Sequence, residues 1–146
     1  MIELTITRVF DAPRALVWQA WTDPEQLARW WGPRGVSTPL DKIQMDLRPG
    51  GAANLTMVDD ATGAEYPNTG HYLEVVPPER LVWHDDGFAD GSGAGTVTVT
   101  FADRGDKTEL TVHAVADFSE TVRAQAEIGW ASSFDKLAEL LARRPR

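Results

Sequence analysis

The residues that could carry chemistry are few: three histidines, two tyrosines and one glycine turn beside an arginine. His84 stands directly before Asp85 and Asp86, an arrangement that resembles a metal-ligand cluster. Consecutive strand residues alternate faces, however, and a site needs three or more convergent donors, so no metal is expected. His71 has the parity of Leu73 and Val75, and alternation directs it inward, as a polar anchor for a ligand or as a core histidine bonded to a neighbour. His113, with the parity of Thr111 and Glu109, is directed to solvent. The run DLRPGG at 46–51 offers backbone N–H groups beside Arg48, as an anion-binding nest would, but a tight hairpin turn explains its proline and glycines without a ligand. Asp46 and Arg48, two apart on a strand, share a face and are placed to pair. An enzyme would need a nucleophile with a base, or two facing carboxylates. GxSxG, HExxH, P-loop and strand-following GxGxxG motifs are absent from the sequence. His71, Tyr66 and Tyr72 are the remaining polar candidates; no catalytic residue is assigned, and binding is favoured over turnover.

These groups must be positioned by a sheet and three helices. Residues 2–10 alternate Ile2, Leu4 and Ile6 against Glu3, Thr5 and Thr7, the pattern of a strand with one buried face. Residues 11–34 hold Trp18, Trp21, Trp30 and Trp31 and read as two short helices. Pro13 fits a first helix start, Asp23 before Pro24 with Gln26 three residues on makes a capping box, and Gly32–Pro33 stops the second helix. Residues 35–47 are extended but interrupted by Pro39, as in an edge strand. RPGG at 48–51 turns the chain into ANLTMV, and DDATGAE at 59–65 is another turn. Strands follow at 69–77, stopped by Pro77 and Pro78, and at 80–85. The glycine-rich acidic tract 85–95 is expected as a mobile loop, and 96–101 with 108–114 as a hairpin. From about Ser119 to Ala142 the apolar residues Val122, Ala126, Trp130, Phe134, Leu137 and Leu141 form one stripe of a long helix, with Asp117 or Ser119 as its cap. The fold class is therefore α+β: a curved antiparallel sheet of six to seven strands whose apolar face the last helix must cover.

Composition narrows the partners. A chain of 146 residues is expected to form one domain, spanning 1–146. A formal charge of −8 argues against a nucleic-acid backbone as partner; Arg143, Arg144 and Arg146 read as a charge-complemented helix end. The sequence contains no cysteine, so disulfides, thiolate metal sites and thiol nucleophiles are excluded. The start MIELTITRVF lacks the basic residues and continuous apolar run of a signal peptide. No stretch approaches the ~20 apolar residues of a membrane span, so a cytoplasmic protein without membrane insertion is expected.

Four ordered motifs, APRALVWQAWTDPEQLARWWGP, DLRPGG, GHYLEVVPPERLVW and the GW pair at 129–130, resemble the START-like helix-grip superfamily. Within it the sequence is similar to the branch named after the activator of the ninety-kilodalton heat-shock chaperone's ATPase. The resemblance covers essentially the whole chain. It implies a deep apolar cavity between the concave sheet face and the long helix, open to a small hydrophobic or amphipathic molecule with no cofactor. Co-chaperone-like interaction with the heat-shock chaperone and cyclase- or aromatase-like catalysis in the same cavity are the alternatives, and a homodimer through exposed tryptophan is left open. The residues taken to line the cavity are Trp30 and Trp31 from the helical stretch, and Leu55, Met57, His71, Leu73 and Trp83 from the strands. Phe88 joins them from the loop, Val99 and Phe101 from the hairpin, and Trp130 and Phe134 from the last helix. Gly129 costs about 1 kcal/mol relative to alanine inside a helix; a cavity wall or a close helix-to-sheet approach would account for it.

Overall fold

In the computed structural model, which describes residues 2–87 and 93–143, the opening alternation becomes β1 (Ile2–Phe10) with Leu4 and Phe10 buried. Helices α1 (Arg14–Thr22) and α2 (Pro24–Trp30) follow at once. Asp23 joins them: its carboxylate accepts from the Glu25 backbone N–H and from the Gln26 side chain, each at 3.1 Å. The D-P-E-Q spacing thus satisfies donors that a helix start leaves orphaned. The rest of the chain supplies β2 (Val36–Ser37), β3 (Ile43–Met45), β4 (Ala53–Asp59), β5 (Glu65–Asn68), β6 (Gly70–Val76), β7 (Arg80–Asp85), β8 (Gly95–Arg104), β9 (Lys107–Ala116) and α3 (Glu120–Ala142).

A five-stranded antiparallel sheet runs β1-β9-β8-β7-β6; a second sheet is built on β4, with β2 and β3 along one side and β5 along the other. The interrupted strand expected at 35–47 is two short strands, because Pro39 starts a 3-10 turn at Leu40–Lys42 between them. β5 lies just past the turn at 59–65 and adds a strand that its polar sequence, Glu65-Tyr66-Pro67-Asn68, does not announce. An isolated bridge between Ala52 and His71 connects the two sheets.

The DLRPGG run is a structural turn. Arg48 N–H donates to Asp46 O, Gly51 N–H to Arg48 O, and Gly50 N–H to Tyr72 O, each at 2.8 Å, so these donors are spent inside the fold. A Cβ on Gly51 would meet the Asp46 carbonyl oxygen at 2.0 Å, which is why glycine stands there. The Asp46–Arg48 pair forms at 2.7 Å.

The helix-grip arrangement implied by the sequence is present, with α3 laid across the five-stranded sheet. Its two halves pack differently, and side-chain size decides how. In the β8–β9 register Val99 faces Val112 and Phe101 faces Leu110, while toward the other end Val97 faces Ala114 and Gly95 faces Ala116. Helix α3 matches this gradient: Phe134, Leu137 and Leu141 are buried at 4% exposure or less near its C-terminal end, whereas Val122, Ala126 and Gly129 occupy the earlier turns. Large residues from both layers interdigitate at one end. At the other, the small residues leave the layers apart.

Candidate functional site

An aromatic cluster forms the wall between the packed and unpacked ends. Trp21, 1% exposed, has ring centroids of Trp30 at 4.7 Å, Trp31 at 5.7 Å, Trp130 at 6.0 Å, Phe101 at 6.1 Å and Trp83 at 6.3 Å. Trp30 is fully buried and donates from Nε1 to Ala20 O at 2.8 Å, locking α2 onto α1. Trp31, next in sequence, leaves the helix in an extended conformation and turns its indole to the cavity. Three ties hold this corner against α3: Lys136 Nζ donates to Gly32 O at 3.0 Å, Arg34 N–H to Ser132 Oγ at 2.9 Å, and the Arg34 side chain pairs with Glu139. Partial burial, followed by the neighbouring Arg34 charge, pushes the Lys136 pKa below the usual lysine range.

Three adjoining spaces lie around Trp31. The first outer space, of about 200 Å³, is bounded by Trp83, Gly95, Val97, Ala114, Ala126 and Trp130. The second, of about 230 Å³, is bounded by Leu55, Met57, Ala126, Gly129, Trp130 and Ser133. An inner pocket of about 30 Å³ lies among Trp21, Leu27, Met45, Leu55, Tyr72 and Trp83. Each outer space is more than ten times the ~10–15 Å³ that one water requires. Trp31 and Asn68 border all three. Asn68 Nδ2 donates to both carboxylate oxygens of Asp85, at 3.1 and 3.2 Å, and the Gly87 N–H caps the same carboxylate at 2.8 Å. Among the described residues no lysine, arginine or histidine side chain lines these spaces. Indole faces and aliphatic groups with one acidic pair suit a neutral, mostly apolar guest.

Of the residues expected to line the cavity, Trp31, Leu55, Met57, Trp83 and Trp130 do so. Trp30, Val99, Phe101 and Phe134 are 2% exposed or less; they belong to the packed end and line none of the three spaces. His71 and Leu73 require correction: both are exposed, Leu73 at 42%, on the outer side of β6. The reason is a bulge. Tyr72 pairs with Trp83, but the register then slips so that Glu74 pairs with Val82 and Val75 with Leu81. One extra residue reverses the face of everything beyond it, so the shared parity of His71, Leu73 and Val75 does not mean a shared face. Tyr72 takes the inward position instead, 4% exposed. His71 faces its cross-strand partner His84 on the outside, ring centroids 5.4 Å apart, and Tyr66 is 48% exposed. Among the described residues no group of three histidines or carboxylates is arranged to hold a metal ion. Phe88 lies outside the described residues, as does the rest of 88–92 in the middle of the glycine-rich tract. Sequence reasoning missed Asn68, Asp85, Met45 and Ala126; the small residues facing one another across β8, β9 and α3 were the available signal.

Gly129 resolves between its two expected explanations. A Cβ there would meet nothing within 4 Å, so the glycine is cavity wall and no backbone approaches it closely. Gly129→Ala is therefore expected to raise stability by about 0.5–1 kcal/mol through helix propensity alone. Differential scanning calorimetry would register this as a rise of roughly 2–3 °C in Tm; a fall would mean that the open side is occupied.

The sequence from 11 to 142 matches the model of the family described as activator of Hsp90 ATPase homolog 1-like protein. Among solved structures, a protein of Chromobacterium violaceum is similar at 29% identity, with 97% of this chain and 98% of that one covered and a TM-score of 0.88. The AHSA1 protein of Silicibacter pomeroyi is similar at 26% identity over 97% and 98% of the chains, TM-score 0.81. CalU16 of Micromonospora echinospora is similar at 26% identity over 97% of this chain and 76% of that one, TM-score 0.71. No curated protein matches the sequence.

Proposed function

We propose that the chain, which belongs to the family of activator of Hsp90 ATPase homolog 1-like proteins, binds a small, neutral, largely apolar molecule between its five-stranded sheet and α3. The observation that carries this is the pair of outer spaces of about 200 and 230 Å³ opened by Gly95, Ala114, Ala116, Ala126 and Gly129. Five small residues on three elements leave apolar surface uncovered, and each Å² a guest covers contributes about 25 cal/mol. Burial of indole and methyl groups supplies the affinity; the Asp85–Asn68 pair and the cation-free lining select against anions.

Two fluorophores that differ by one sulfonate test this. Neutral N-phenyl-naphthylamine is expected to bind with enhanced, blue-shifted emission, and anilinonaphthalene sulfonate to bind at least tenfold more weakly, the cost of about 1.4 kcal/mol for bringing an anion to a carboxylate-bearing apolar site. Native mass spectrometry of the gently purified protein supplies the second measurement. No retained small molecule together with no fluorophore binding overturns the proposal.

A further inference from the structure

The inner pocket carries a buried, unpartnered donor that the outer spaces lack. Trp21 is 1% exposed, its indole forms part of the pocket wall, and its Nε1 is the buried side-chain nitrogen left without a hydrogen-bond partner among the described residues. Buried indole N–H groups ordinarily find an acceptor, as that of Trp30 does in Ala20 O. Tyr72 lines the same pocket at 4% exposure, and among the described residues its hydroxyl has no hydrogen-bond partner either. Burial pushes the Tyr72 pKa far above the usual phenol range, so the group remains an O–H donor throughout the physiological pH range. Asn54, also in this wall, is already satisfied: its amide donates to Gln44 Oε1 and its carbonyl accepts from the Gly70 N–H, both at 3.1 Å.

Resting on the cavity reading above, we propose that the inner pocket recognises a neutral oxygen acceptor, the carbonyl or hydroxyl of an otherwise apolar ligand, held between Trp21 Nε1–H and the Tyr72 hydroxyl. Size agrees with the role. At about 30 Å³ the pocket admits a polar terminus and not a ligand body, while the outer spaces, which share Trp31 and Asn68 with it as walls, take the apolar remainder. A hydrocarbon would leave the buried Trp21 N–H unpaired and cut the Tyr72 hydroxyl off from water, and that penalty is the source of selectivity. A carboxylate would satisfy the donors but bring a charge into a lining with no cation and with Asp85 nearby.

Tetralone, its hydrocarbon counterpart tetralin and tetralin carboxylate separate these terms in calorimetric titrations of the full chain. Tetralone is expected to bind roughly tenfold tighter than tetralin, the worth of one to two buried hydrogen bonds, and tighter than the carboxylate. Tyr72→Phe should bring tetralone to within about threefold of tetralin, since it both removes a donor to the ketone and relieves the unpaired hydroxyl that tetralin leaves behind. Heteronuclear NMR of the indole N–H resonances gives a readout that needs no substitution at the hub of the cluster: tetralone should shift the Trp21 Nε1–H signal downfield, and tetralin should not. Equal binding of tetralone and tetralin, or a Trp21 signal indifferent to tetralone because its N–H already rests on the edge-on Trp31 ring, overturns the acceptor site and leaves the cavity standing. Failure of all three compounds to bind at millimolar concentration overturns both.

Discussion

Trp30→Ala is expected to destabilise the protein by about 4 kcal/mol, close to the full range for removing a completely buried aromatic side chain. Trp31→Ala, one residue on, should cost only about 1–2 kcal/mol, because much of that indole already faces space. The difference arises from geometry within one dipeptide. Trp30 is on the last turn of α2, 0% exposed, against Trp21, with its Nε1 hydrogen bond to Ala20 O. Its removal leaves a void, an orphaned carbonyl and a loosened α1–α2 pair. Trp31 has already left the helix, and its loss widens a cavity that exists. Urea denaturation with matched m-values checks this. Similar losses at the two positions would mean that Trp31 is a core residue, and that the aromatic wall does not separate a packed end from an open one.

How much of this was legible in the sequence depended on which physical rule each residue obeyed. Where a single local rule governs, the pattern carried through: Asp23-Pro24-Glu25-Gln26 is a helix start, Ser119 caps α3 by accepting from Val122 N–H at 3.2 Å, and the alternation in β1, β8 and β9 places Leu4, Val97, Val99, Phe101, Leu110 and Val112 inward. His71 failed because register is a relation between two strands, and a bulge at Leu73 cannot be seen from one of them. Val99, Phe101 and Phe134 lie on the same inward stripe as the cavity-lining Val97, Ala126 and Trp130, but the stripe changes character along its length. The change is written in side-chain volume, from Phe101 and Leu110 to Gly95 and Ala116. That gradient was readable; it needed the β8–β9 pairing to show that the small residues of each strand meet at one end. Asn68 and Asp85 stayed hidden for a different reason. They are brought together by side-chain hydrogen bonds between β5 and β7, strands that are not paired with each other in either sheet.

Ala126→Phe is expected to abolish ligand binding and leave the fold intact. Ala126 borders both outer spaces, one turn before Trp130 on the face of α3 turned to the sheet. A phenyl group there would displace on the order of 100–150 Å² of guest contact, about 3 kcal/mol at ~25 cal/mol per Å². That corresponds to roughly a hundredfold in Kd. Stability should hold or rise, since the new ring covers Ala114, Val97 and indole surface that the wild-type chain leaves uncovered. The combination is diagnostic, because a substitution that merely distorts the helix lowers Tm and binding together. Measured with N-phenyl-naphthylamine and by calorimetry, an unchanged Tm with lost binding locates the guest between α3 and the sheet. Retained affinity in Ala126→Phe would instead move the guest away from both outer spaces, and the facing glycines and alanines would then need another explanation.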